Sequence, residues 1–195
     1  MSPFEFFFSF YGLLLALSVA VVAAGLVKAV KLRGVRKLGL LTPLLAVFIL
    51  FDIASFWAWA WSGLQVAPFS YGLLVLGMVI ALTYFFAASF VFPEDNETWD
   101  SLDAHYQARK RWVFVGVIGS NTISYAAALA ISHADPLSAG YGLTNFYYLA
   151  LVGGLLVCIL VKNRWVNALL LAFNVALYIQ AAVLSFRLPP PPGAA

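Results

Sequence analysis

Six separate stretches of this chain are apolar for about twenty residues or more, and that feature limits the fold more than any other. They are Phe6–Val30, Gly39–Ser62, Phe69–Phe92, Arg111–Ser132, Gly142–Val161 and Trp165–Leu188. A hydrocarbon core about 30 Å thick is crossed by ~20 residues of helix. In lipid the backbone N–H and C=O groups must be satisfied within the segment, which a helix does and an isolated strand does not. The expected fold is therefore an all-α integral membrane protein with six transmembrane helices. Residues 1–188 make one transmembrane domain, and the Pro-rich tail 189–195 follows it. The connections are short except for 93–110, which leaves no length for a soluble domain.

Composition excludes the alternatives. The chain is 64% hydrophobic and 10% charged, against ~45–50% apolar and ~25% charged in an ordinary soluble domain. So few charges cannot cover a soluble core. A disordered chain and a basic nucleic-acid-binding module are excluded on the same ground, despite the net charge of +3. No nucleic-acid partner is expected; the bilayer is the obligatory one. The first apolar stretch has Glu5 before it and no basic start, and it is longer than the ~7–15 apolar residues of a secretory signal. It is expected to stay in the protein.

The basic residues set an orientation. Lys28, Lys31, Arg33, Arg36 and Lys37 follow span one; Arg109, Lys110 and Arg111 follow span three; Lys162 and Arg164 follow span five. Only Arg187 falls at the other end. Lys and Arg are retained on the cytoplasmic side. The spacing predicts three hairpins of the same orientation, dipping inward, in a cell inner (plasma) membrane with both termini on the non-cytoplasmic side. Aromatic side chains agree with these boundaries. Phe4, Phe6, Phe7, Phe8, Tyr11, Trp57, Trp59, Trp61, Tyr147 and Tyr148 mark one interface, and Trp99, Trp112 and Trp165 the other.

The loop 93–110 carries Glu94, Asp95 and Glu97 early and Arg109 to Arg111 late, which suits the dipole of a short helix. Trp99, Leu102 and Tyr106 share one face, so a short helix lying on the membrane surface is expected there. Asp100 and Asp103 share a helical face while His105 points elsewhere, and no metal site is expected. Asn96-Glu97-Thr98 has the form of a glycosylation sequon, but on the cytoplasmic side it would be a false match. His133 and Asp135, after span four, read as a surface pair. Cys158 has no partner in the chain and reads as a small buried hydrophobe.

Two patterns mark span four. Arg111-Trp112-Val113, Asn121 and Tyr125 recur in span six as Arg164-Trp165-Val166, Asn174 and Tyr178, 53 positions later. Repeats of this kind would be parallel, related by an axis along the membrane normal. Gly116, Ser120, Ser124, Ala128 and Ser132 form a stripe of small residues at every fourth position. Such a stripe lets two helix backbones approach closely. It predicts a central helix or an oligomer interface, disrupted by a bulky residue such as Ser124→Leu. Gly153 and Gly154 echo this in span five.

One charge lies deep. Asp52 sits near the middle of span two, and no other ionisable acid, base or histidine reaches that depth. An ionised Asp there costs roughly 2.5–3.5 kcal/mol, so it is either held neutral or given polar partners. Asn121, Asn174, Tyr125 and Tyr178 stand at suitable depth to form a polar midplane cluster with Asp52, and Thr83 and Tyr84 are further candidates. As a structural group Asp52 fixes helix register; as a functional one it carries protons or a cation. The sequence has no nucleophile–base pair, phosphate-binding glycine loop or ligating histidine pair, so no enzyme and no cofactor are expected. The reading is an accessory, assembly or sensor-type membrane subunit acting through helix contacts, with itself or another membrane protein as partner. The alternative is a small transporter or channel for protons or cations, with Asp52 at its midplane.

Overall fold

The computed structural model describes residues 2–31, 38–65, 68–94, 97, 99–132, 136–138 and 141–186. Among the described residues six helices follow one another: α1 (Pro3–Lys31), α2 (Leu41–Gly63), α3 (Tyr71–Ser89), α4 (Leu102–Ser132), α5 (Gly142–Leu160) and α6 (Arg164–Ser185). All six are long and apolar enough to cross a membrane. The chain is a multi-pass membrane protein. The tail 189–195, the sequon residues Asn96 and Thr98, the pair His133 and Asp135, and the basic residues Arg33, Arg36, Lys37 and Arg187 lie outside the described residues.

Helix ends follow the local chemistry. Ser70 accepts from the Leu73 N–H at 3.2 Å and starts α3. The Asn163 side chain accepts from the N–H groups of Trp165 (2.9 Å) and Val166 (3.4 Å) and starts α6. α2 begins without a cap of its own at Leu40. Its first N–H, on Leu41, donates instead to Asp103 Oδ1 of α4 at 2.9 Å, and the Thr42 hydroxyl donates to the Leu102 carbonyl at 2.8 Å. Gly39 supplies the turn that permits this docking. Its φ is +65°, and a Cβ there would collide with the Asp103 carboxylate.

This docking changes the reading of 93–110. No separate surface helix forms in the described part of that loop; Leu102 to Lys110 are the first turns of α4, which runs 31 residues. The apolar face expected to meet lipid meets protein. Leu102 and Tyr106 are both buried, because α2 and α6 offer hydrogen-bond partners as well as apolar cover.

The helices close on one another in an order different from the chain. α1 packs on α2 and α3, α3 on α4, α4 on α5, α5 on α6, and α6 on α2, while α2 also reaches α4. α2 is accordingly the most enclosed span, with half of its apolar window buried, against 17% for α5 and α6. The polar group at its centre is therefore surrounded by protein on several sides rather than by lipid.

The small-residue stripe of α4 serves two neighbours. Gly116 lies on α3, where a Cβ would come within 2.7 Å of Ala87 Cβ. The Ser120 hydroxyl donates to the Ile80 carbonyl of α3 at 3.3 Å. Ser124 and Ala128 instead face a cavity, and the Ser132 hydroxyl turns back to the Ala128 carbonyl at 2.7 Å. A four-residue step overshoots the 3.6-residue turn, so the stripe drifts around the helix and cannot stay on one seam. Ser124 is thus not at the close contact expected from its spacing. In α5, Gly154 faces Asn174 of α6, while a Cβ on Gly153 would meet nothing within 4 Å.

Candidate functional site

Asp52 has eleven residues of α2 on either side of it and no exposed surface. Three neighbouring helices each send one donor to its carboxylate. The Tyr84 hydroxyl of α3 donates to Oδ2 at 2.6 Å. The Asn121 amide of α4 donates to the same oxygen at 3.1 Å. The Tyr178 hydroxyl of α6 donates to Oδ1. The Ser55 hydroxyl, one turn along α2, donates to the Asp52 backbone carbonyl at 2.6 Å. Phe56 meets the Tyr84 ring edge-on, and Phe48 lies against Tyr178. One acid thus joins four helices, and among the described residues it has no cationic partner.

The cluster expected from depth is assembled in part. Asp52, Asn121 and Tyr178 come together, and Tyr84 completes the shell. Asn174 does not join it; its amide donates to its own helix, at the Leu170 carbonyl, at 2.9 Å. Tyr125 does not join it either. Its hydroxyl donates to the Asn145 side chain of α5, and its ring stacks on Tyr148 with centroids 4.4 Å apart. The repeated Asn-x-x-x-Tyr pattern is used asymmetrically: α4 contributes its Asn and α6 its Tyr.

Above the acid is a chamber of about 260 Å³. Asn121 and Tyr178 form its floor, and both hold Asp52 beneath it. Its walls are Phe56 and Trp59 of α2, Tyr125 of α4, and Tyr147 and Tyr148 of α5, with the hydroxyls of Ser55, Ser124 and Thr144 between them. These positions fall in the later halves of α2 and α4 and the earlier half of α5, the end of the bundle far from the basic residues. No Lys, Arg or His lines it among the described residues. On the opposite side of Asp52, Phe48, Ile49, Leu45 and Leu41 are all buried and apolar. The chamber therefore belongs to one half of the bundle only.

A second polar cluster lies at the basic end. Lys110, only 4% exposed, donates to the Val161 carbonyl at 2.6 Å and to Asn167 Oδ1 at 3.3 Å. The Tyr106 hydroxyl donates to the same Asn167 oxygen at 2.7 Å, and the Asn167 amide donates to the carbonyls of Val161 and Asn163, both at 2.8 Å. Cys158 is buried beside Tyr106. A lysine on the last carbonyls of a helix is a C-terminal cap, so Lys110 ties α4 to the α5–α6 turn. No signal in the sequence marks this role, since Lys110 reads there as one more cation in a loop.

Two of the three residues weighed for metal binding, Asp103 and His105, are occupied otherwise. Asp103 caps α2. His105 is buried against the Trp99 ring edge, 3.8 Å from Glu97. The Trp99 indole N–H at 3.1 Å and the Arg109 guanidinium at 2.7 Å hold the Glu97 carboxyl below its ordinary range. No group of three or more metal-ligating side chains converges among the described residues. No protein-family model matches this chain, and no curated protein or solved structure matches it either.

Proposed function

We propose that this protein is a non-enzymatic membrane subunit of the sensor or accessory type, in which the chamber receives a small molecule and the Asp52 network relays its presence to the helices. The observation that carries this reading is the double duty of Asn121 and Tyr178. Each lines the chamber and each holds the acid that joins α2, α3, α4 and α6. A ligand that pulls on either floor residue must alter the bonds between those helices. Binding at such a site shifts the bundle between arrangements by its differential affinity for them.

The chamber's position supports this reading over a through-pathway. A channel for protons or cations needs polar access from both sides of its central acid at once, whereas the side of Asp52 away from the chamber is packed with Phe48, Ile49 and Leu45. Purified protein reconstituted in liposomes under a pH gradient should give no proton flux above that of empty liposomes. Flux that disappears in Asp52→Asn would overturn the reading in favour of a transporter.

Orientation completes the proposal. Lys28, Lys31, Arg109, Lys110, Arg111, Lys162 and Arg164 all stand at one end of the helices. We assign that end to the cytoplasm of a cell inner membrane. The three hairpins then share one orientation, both termini lie on the non-cytoplasmic side, and the chamber is reached from that side. A C-terminal fusion to a reporter active only in the cytoplasm should be silent, and the same reporter inserted after Glu94 should be active. The reverse pattern would invert the topology.

A further inference from the structure

We infer that the chamber takes a small primary or secondary amine in its ammonium form, carrying an apolar or aromatic group; this rests on the ligand-binding reading above and names its ligand class. Three independent features of the site converge on it.

The first is the polarity of the floor. Asn121 spends one N–H on Asp52 and the other on the Val117 carbonyl at 3.0 Å. Tyr178 spends its single O–H on Asp52. An amide has two N–H donors and a phenol one, so neither residue has a donor left for the chamber. What remains is acceptor capacity: the Asn121 carbonyl oxygen, which no protein donor occupies among the described residues, and the Tyr178 oxygen lone pairs. A floor of acceptors fits a ligand that donates, and an ammonium N–H is the strongest donor of that size.

Charge is the second. The chamber has no cationic side chain in its described lining, and the carboxylate beneath its floor has no cationic partner among the described residues. A carboxyl group this deep is either neutralised by a proton or paired, and an ammonium is the kind of partner that keeps it ionised. A cation seated on Asn121 and Tyr178 would be one hydrogen-bonded layer from Asp52 and would supply the missing partner. An anion there would face the same carboxylate with nothing to offset it.

The third feature is the wall. Phe56, Trp59, Tyr125, Tyr147 and Tyr148 stand around the space. Aromatic faces attract cations and accept apolar groups equally well. The volume of about 260 Å³ exceeds the ~150 Å³ of an apolar cavity that accepts benzene, so a single substituted ring fits.

The test uses the full chain in detergent, with 2-phenylethylamine, the neutral 2-phenylethanol and the anionic phenylacetate as probes. Binding is read from Trp59-dependent fluorescence quenching and from the melting temperature. The amine should bind at least tenfold more tightly than either isostere and raise the melting temperature. Asp52→Asn and Tyr178→Phe should each weaken amine binding by tenfold or more, and Ser124→Phe, which fills the chamber without touching the acid, should abolish it. Preference for the alcohol or the acid, or amine binding unchanged in both Asp52→Asn and Tyr178→Phe, would overturn the ammonium assignment while leaving a ligand site in place. Binding that survives Ser124→Phe would place the amine outside the chamber and overturn it as well. Failure of all three probes to bind would remove the ligand-binding reading with it.

Discussion

Asp52→Ala is expected to lower the melting temperature of the detergent-solubilised protein by roughly 4–20 °C. Interhelical hydrogen bonds in membrane proteins are worth on average ~0.6 and at most ~1.7 kcal/mol. Removing the acid strands three interhelical donors at once, those of Tyr84, Asn121 and Tyr178. Together they amount to about 2–5 kcal/mol, and in a chain of this length each kcal/mol moves the midpoint ~2–4 °C. Asp52→Asn keeps the shape and one acceptor oxygen, so its loss should be less than half as large. Intrinsic tryptophan fluorescence through a thermal ramp reports both. A melting temperature for Asp52→Ala at or above that of the parent would mean that the acid is carried at a cost to stability, and the role of Asp52 as a joint between helices would have to be abandoned.

Gly116→Leu should be the most damaging change on α4. A Cβ at this position falls 2.7 Å from Ala87 Cβ and 3.3 Å from the Thr83 backbone oxygen, and backbone cannot swing aside as a side-chain tip can. Overpacking a tight interior costs about 1–3 kcal/mol and occasionally more. Here the helices must also separate, which breaks the Ser120 bond to the Ile80 carbonyl. The informative control is Ser124→Leu, two steps along the same stripe. Its side chain enters the chamber, where space exists, so it should melt within about 2 °C of the parent, as changes without overpacking commonly do. Size-exclusion profiles and thermal ramps of the pair distinguish a graded seam from a uniform one. Equal damage from the two would show that the whole stripe is a packing surface and that the drift toward the chamber is wrong.

Much of this protein is legible in its amino-acid sequence. Apolar length alone implies the six helices, since nothing else satisfies the backbone in lipid. The depth of Asp52 in α2 singles it out, because a lone acid among Leu, Ile and Phe must find polar company or be excluded. Asn121 and Tyr178 are recognisable as that company by depth. Depth is a one-dimensional coordinate, however, and it rates Asn174 and Tyr125 just as highly. Which of the four points at Asp52 depends on the rotation of each helix about its own axis and on which helices are neighbours, and neither follows from hydropathy.

The same limit explains Leu102 and Tyr106. Their spacing shows a shared helical face but not what covers it; the face read as lipid-bound is covered by α2 and α6. The sequence by itself determined the membrane, the number of spans and the one acid that had to be explained, because each follows from the cost of polar groups in hydrocarbon. Only the tertiary structure decided the order of the helices around one another, with α2 between α1, α4 and α6. That order turns the donors of Asn121 and Tyr178 onto the acid and leaves their acceptors facing an aromatic space, because side chains meet through helix rotation and neighbourhood, which pairwise packing fixes and sequence period does not.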